Sequence, residues 1–199
     1  MNRILVMHGV NLNLFGKRDP KHYGTETLED INGKLSALAG ELGVEVSFFQ
    51  SNYEGAFVER IQEAHGDGTA GIVLNAGAWT HYSYAIMDAL AILSIPAVEV
   101  HMSNVHAREA FRHFSVLSAV TRGSIAGFGS GSYLLGLRAV VDFVRGGRVE
   151  GSCGGREGKP FWRQVSPPFP HTPNPPLPKT FDLIESLIAE RAEIFGCLS

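Results

Sequence analysis

The sequence predicts an α/β fold, a flavodoxin-like three-layer sandwich around a five-stranded parallel sheet of order 2-1-3-4-5. Apolar runs of strand length alternate with helix-period segments five times between residues 3 and 144. Such alternation favours a parallel sheet covered by helices on both faces, joined by short right-handed connections. Polar side chains also gather where three of the apolar runs end, at His8-Gly9-Val10-Asn11-Leu12-Asn13, Asn75-Ala76-Gly77 and Glu99-Val100-His101-Met102-Ser103-Asn104. In an open parallel sheet the carboxyl ends of neighbouring strands converge on one crevice, where ligands bind. The order 2-1-3-4-5 has its switch point between the first and third strands, which sets Asn11 beside Asn75.

Each element has a local reason. Arg3 to Met7 reads as the first strand. Thr27 caps a helix from Leu28 to Leu42, with Asp30 in the first turn and Ile31, Leu35, Leu38 and Leu42 on one face. Glu45 to Gln50 reads as the second strand, and Tyr53 to Ala64 as an amphipathic helix with Phe57, Ile61 and Ala64 at helical spacing. Ile72 to Leu74 is a short, wholly apolar strand. Tyr84 to Leu93 is a helix stopped before Pro96. Ala97 to Val100 and Ser124 to Phe128 complete the strands. Tyr133 to Val144 closes the unit with Leu134, Leu137, Val140, Val141 and Val144.

After Arg145 the composition changes. Gly146-Gly147 and the stretch from Gly151 to Gly158 are Gly-rich, and eight of the ten prolines lie between Pro160 and Pro178. This composition favours an extended or polyproline-like chain. Thr180 then caps a last amphipathic helix bearing Ile184, Leu187, Ile188, Arg191 and Phe195. Such a helix is marginal alone in water, so it is expected to dock on its own domain or on a neighbouring subunit. The expected division is a flavodoxin-like domain over residues 1–145 and a Gly/Pro-rich extension over 146–199.

Bulk properties narrow the partners. A net charge of −3 and a pI near 6.2 leave no electrostatic footprint for DNA or RNA. Cys153 and Cys197 form no C-x-x-C pair, against a zinc ribbon or thioredoxin-like motif. The apolar run Ile4-Leu5-Val6-Met7 is too short for a signal-peptide core, and no run reaches membrane-spanning length. The expectation is a cytoplasmic protein with reduced thiols, without nucleic-acid or membrane partners.

The chemistry-bearing residues follow from the strand ends. Tyr23 lies five residues after Arg18 in a loop bounded by Gly16 and Gly24. A guanidinium close to a phenol favours the phenolate, which could serve as a general base, and the two glycines would let the loop close over a site. His101 follows Glu99 by two residues, so both lie on one face of a strand. A carboxylate beside an imidazole orients the ring and suits it to act as an acid; a core histidine satisfied by a neighbour is the plainer reading. Asn11 and Asn75 could orient a water or bind hydroxyls, or simply cap turns. His81 and Asp88 flank the third helix, and each alone reads as surface. Arg108 and Arg112, four apart, are expected on one helical face and suit carboxylate clamping.

Other chemistries find little support. Neither His81 with His101 nor His101 with His106 fits a zinc spacing, so no metal is expected. Gly127-Phe128-Gly129-Ser130-Gly131-Ser132 resembles a phosphate loop, but it opens the last helix and no Lys-Ser/Thr pair follows. The five lysines, at 17, 21, 34, 159 and 179, end no expected strand, against Schiff-base catalysis.

From Ile4 to about Val144 the chain resembles the type II 3-dehydroquinate dehydratases. Three separated motifs carry the resemblance in order: Gly9 through Pro20 with Tyr23-Gly24, then Asn75-Ala76-Gly77-Ala78-Trp79-Thr80-His81, then Glu99-Val100-His101-Met102-Ser103-Asn104-Val105-His106-Ala107-Arg108-Glu109. The resemblance implies a flavodoxin-like fold and removal of water from 3-dehydroquinate in the shikimate pathway, without cofactor or metal. It implies that Tyr23, made basic by Arg18, takes a proton beside the ketone, and that a water held by Asn11 stabilises the enolate. It further implies that His101, supported by Glu99, protonates the departing hydroxyl. Asn75, His81 and Arg112 match substrate-hydroxyl ligands, the backbone at Met102 and Ser103 a carboxylate site, and Asp88 a residue that reaches a neighbouring subunit's site. The implied assembly is a dodecamer of four trimers. Val10 stands where the family usually has Pro, Met87 where it often has a basic residue, and Ser132 where Gly is usual. The alternative from the residues alone is a flavin- or nucleotide-binding module of the same fold.

Overall fold

The computed structural model describes residues 1–17 and 26–146. Arg18 and Tyr23 lie outside the described residues, as does the expected extension beyond Gly146. Strands β1 (Arg3–His8), β2 (Glu45–Gln50), β3 (Thr69–Asn75), β4 (Ala97–His101) and β5 (Gly123–Ala126) alternate with helices α1 (Leu28–Leu42), α2 (Glu54–Glu63), α3 (Tyr84–Ala91) and α4 (Gly131–Val144). The sheet is wholly parallel in the order β2-β1-β3-β4-β5, as expected.

Strand alternation splits the core into two layers. Ile4 and Val6 of β1, Val73 of β3, and Val98 and Val100 of β4 pack against Ile31, Leu35 and Leu38 of α1 and Tyr133, Leu137 and Val140 of α4. Leu5, Met7, Ile72 and Leu74 face the other way, onto Phe57 and Ile61 of α2 and Ile86, Ala89 and Leu90 of α3. Helix α1 begins as its sequence dictates. Thr27 accepts the Asp30 N–H while the Asp30 carboxylate accepts the Thr27 N–H, a reciprocal cap that satisfies two donors the helix leaves unpaired.

Register places the polar strand ends together. His8 of β1 stands opposite Asn75 of β3, and Leu74 opposite Glu99 of β4. Boundaries depart from expectation at particular residues. Strand β3 starts at Thr69 rather than Ile72 because Gly71 leaves room for α4: a Cβ there would fall 2.7 Å from Val140 Cγ2. Helix α3 stops at Ala91, two residues short of Leu93. Strand β5 ends at Ala126, where Gly127 turns the chain at φ +96°. Arg108 and Arg112 do not share a helical face. The chain from 105 to 119 folds into separate 3-10 turns at Val105–Ala107, Ala110–His113 and Leu117–Ala119, with Arg108 ending the first in an extended conformation. No helix among the described residues is long and apolar enough to cross a membrane.

Candidate active site

The site begins where β1 and β3 hand over to their loops. The Gly9 N–H donates to the Asn75 carbonyl at 2.8 Å. A Cβ at position 9 would fall 2.4 Å from the Ala76 carbonyl oxygen, and one at Gly77 (φ +63°) would fall 3.0 Å from the Val10 carbonyl oxygen. The loops therefore abut backbone to backbone, which requires glycine at both points. Just beyond, Asn11 adopts the left-handed conformation (φ 64°, ψ 5°), which Asn tolerates better than most residues. Its N–H donates to Asn52 Oδ1 at 2.8 Å.

These ends open onto a cavity of about 140 Å³. Of the residues expected at a site, Asn11, Asn75, His81, His101, Met102, Ser103 and Arg112 all line it, and so does Arg108. Glu99 stands behind the wall as the partner of His101. Asp88 is exposed on α3 and does not line the cavity of its own chain. Among the described residues the lining contains two arginines and no carboxylate, a balance that favours an anionic ligand.

The His101 side is held by a buried relay. Glu99 is completely shielded from solvent, and His101 Nε2–H donates to its Oε1 at 2.8 Å. Ser115 Oγ lies 2.9 Å from both carboxylate oxygens and donates its proton there. The same Oγ accepts the N–H groups of Leu117 and Ser118, each at 3.1 Å. A carboxylate buried without such partners would be strongly disfavoured. Here a serine fixed by two backbone donors completes its coordination.

His81 lies against His101 with nearly parallel rings, 6.3 Å between centroids and 14° apart. Its Nδ1–H donates to the Phe114 carbonyl at 2.8 Å. Burial lowers the His81 pKa below its ordinary value, and the neighbouring His101 and Arg112 act in the same direction, against the opposing influence of the Phe114 carbonyl. The ring is therefore suited to the neutral form with Nε2 as an acceptor for a ligand hydroxyl. Arg112 Nε donates to Glu109 Oε2 at 2.9 Å, and its guanidinium sits 4.6 Å from the centre of the Phe111 ring.

Ser115 escaped sequence reasoning. A serine in the loop between β4 and β5 carries no signal that it touches a carboxylate sixteen residues back. His8, whose strand-end position alone suggests no role, is wholly buried and bonded to Tyr133 and Asn32. Among the described residues no group of three His, Cys, Asp or Glu side chains is placed to hold a metal ion.

Known proteins share this architecture. The family model described as class II dehydroquinase matches residues 2–141. A 3-dehydroquinate dehydratase of Leptothrix cholodnii is 61% identical over 146 residues, covering 73% of this chain and 98% of that protein. One of Pelobacter propionicus is 57% identical over 148 residues, covering 74% and 99%. Among solved structures, the type II dehydroquinase of Butyrivibrio crossotus superposes with a TM-score of 0.69 at 46% identity, over 70% of this chain and 97% of that one. That of Propionibacterium acnes gives 0.68 at 43% identity, over 71% and 97%.

Proposed function

Since the chain belongs to the class II dehydroquinase family, we propose that residues 1–145 convert 3-dehydroquinate to 3-dehydroshikimate through an enolate. The protein is a hydro-lyase, a 3-dehydroquinate dehydratase, and its reaction belongs to the shikimate pathway. Tyr23, kept as phenolate by Arg18, takes the proton from the carbon beside the ketone. The electron pair left behind delocalises onto the ketone oxygen, where a water oriented by Asn11 stabilises the negative charge. The enolate then collapses, the bond from the neighbouring carbon to its hydroxyl breaks, and His101 supplies the proton that lets this group leave as water. Separate acid and base suit a stepwise elimination, with no cofactor needed.

The observation that carries this reading is the convergence of Asn11, Asn75 and His101 on one cavity, with Glu99 bonded behind His101. Asn75, His81 and Arg112 bind the substrate hydroxyls, and the backbone of Met102 and Ser103 receives the carboxylate. The working assembly is a cytoplasmic dodecamer of four trimers in which Asp88 reaches a neighbouring subunit's site.

Mixing the purified protein with 3-dehydroquinate and following the ultraviolet absorbance of the conjugated enone tests the reading. Growth of that absorbance supports it. A folded protein that gives none, and instead is yellow or holds a mononucleotide, replaces it with the flavodoxin-like binding module.

A further inference from the structure

Behind the cavity a buried polar chain runs from Asn75 to α1. Asn75 Oδ1 accepts the Gly77 N–H at 3.2 Å, which commits that end of the amide as the acceptor. The Asn75 side chain also acts on the Tyr133 phenol, lowering its pKa against the larger effect of burial, as an amide N–H directed at the phenol oxygen does. Tyr133 is wholly buried on α4, and burial raises its pKa, so its hydroxyl keeps its proton. That proton faces His8, whose Nδ1 lies 3.0 Å from Tyr133 Oη. The second ring nitrogen of His8, Nε2, lies 3.0 Å from Asn32 Oδ1, which can only accept.

The directions are therefore determined throughout. Burial lowers the His8 pKa to about 4, so at neutral pH the ring carries one proton. The proton sits on Nε2 to meet Asn32, and Nδ1 is left to accept from Tyr133. With its hydroxyl proton spent on His8, Tyr133 offers an acceptor lone pair to Asn75. A flipped Asn75 amide would set its NH2 group against the Gly77 N–H and its oxygen against the phenol oxygen. Both contacts would then be unsatisfied in a buried setting.

We propose that His8 and Tyr133 are positioning residues that lock the Asn75 amide, so that its second Nδ2–H faces the cavity and selects an acceptor oxygen on the substrate. The inference rests on the reading of Asn75 as a substrate ligand of the dehydratase. It adds the reason that Asn75 acts there as a donor of defined direction rather than as a freely rotating amide.

A double-mutant cycle tests it in the full chain. Tyr133→Phe keeps the ring and removes the acceptor, so KM for 3-dehydroquinate is expected to rise roughly tenfold with kcat within about twofold, the pattern of lost uniform binding. In an Asn75→Ala background the same change is expected to leave KM unaltered. An unchanged KM in Tyr133→Phe, a fall in kcat alone, or an equal KM rise in both backgrounds overturns the proposal. If Tyr133→Phe does not fold, Asn32→Leu removes the acceptor that sets the His8 tautomer. A KM rise of about threefold, absent in the Asn75→Ala background, is then expected, and no rise overturns the proposal. Nitrogen-15 spectra of His8 at pH 7 read the chain without turnover. A protonated Nε2 and bare Nδ1 are expected; the reverse tautomer or an imidazolium overturns the proposal even if the wild type is active. Absence of enone from a wild type with the expected tautomer overturns the dehydratase reading alone.

Discussion

The place where any residue larger than glycine would put its Cβ at position 9 lies 2.4 Å from the carbonyl oxygen of Ala76. Gly9 and Ala76 begin the two loops that carry Asn11 and Asn75 to one cavity, so their backbone contact sets the spacing of the site. Gly9→Ala must push the loops apart. It is expected to cost about 1–3 kcal/mol of stability, as overpacking does, and to lower kcat/KM on the dehydratase assay by more than tenfold. Urea unfolding and steady-state kinetics on the same sample check both.

Removing either proton-transfer group separates the proposed roles. Tyr23→Phe and His101→Ala are each expected to lower kcat by roughly 10²–10⁴-fold, the usual contribution of general acid–base catalysis. Circular dichroism should stay unchanged. Full enone formation in either variant would remove that residue from the mechanism.

Ser115→Ala deletes the hydroxyl that Glu99 accepts at 2.9 Å while leaving the His101 contact. Loss of a hydrogen bond to a charged group is worth about 1.5–3 kcal/mol. A fall in stability of that order is expected in denaturant melts. Because Glu99 orients His101, kcat should also drop about tenfold, and Ser115→Thr, which keeps the hydroxyl, should recover most of it.

The buried His8 predicts an acid-sensitive fold. Its pKa falls from an ordinary 6.5 to about 4 in the native state. In that window the unfolded chain binds the extra proton, so stability rises with pH. The contribution of His8 is fully present above about pH 6.5 and is lost as pH falls through about 4, amounting to about 3 kcal/mol. His81, whose pKa is also lowered, adds to the same trend. Denaturant melts between pH 7 and pH 4 should show a smaller decline for His8→Gln than for the wild type.

Complementation tests the assembly. Sedimentation should give a species of about twelve times the 21.6 kDa chain. If Asp88 serves a neighbour's site, Asp88→Ala and His101→Ala chains should each be weak alone. Co-expressed, they should form mixed particles more active than either parent, since some sites then receive both groups from different chains. Additive activity in the mixture would place Asp88 outside the site. Truncation after Arg145 should lower the thermal midpoint or the number of chains per particle; no change in both would mean the extension supports neither stability nor assembly.

Much of the framework was legible in order. The helix bounded by Thr27 and Gly43 follows from a capping box and a left-handed glycine, rules that act across a few residues. The pairing of Glu99 with His101 follows from the two-residue period of a strand. The parallel sheet follows from the β-α alternation, and in the order β2-β1-β3-β4-β5 its switch point brings Asn11 and Asn75 to one crevice. Arg108 and Arg112, four apart, imitate one helical face, but the chain there folds into separate 3-10 turns and no continuous helix joins them.

Local rules determine which faces are apolar, where helices start and which strand ends carry polar groups, and these the amino-acid order alone supplied. The serine beneath Glu99 and the chain from Asn75 through Tyr133 and His8 to Asn32 join residues far apart in sequence. Their contacts depend on strand register and on how closely α4 and α1 approach the sheet. Those distances are set by packing the whole core at once, and no window of neighbouring residues contains them.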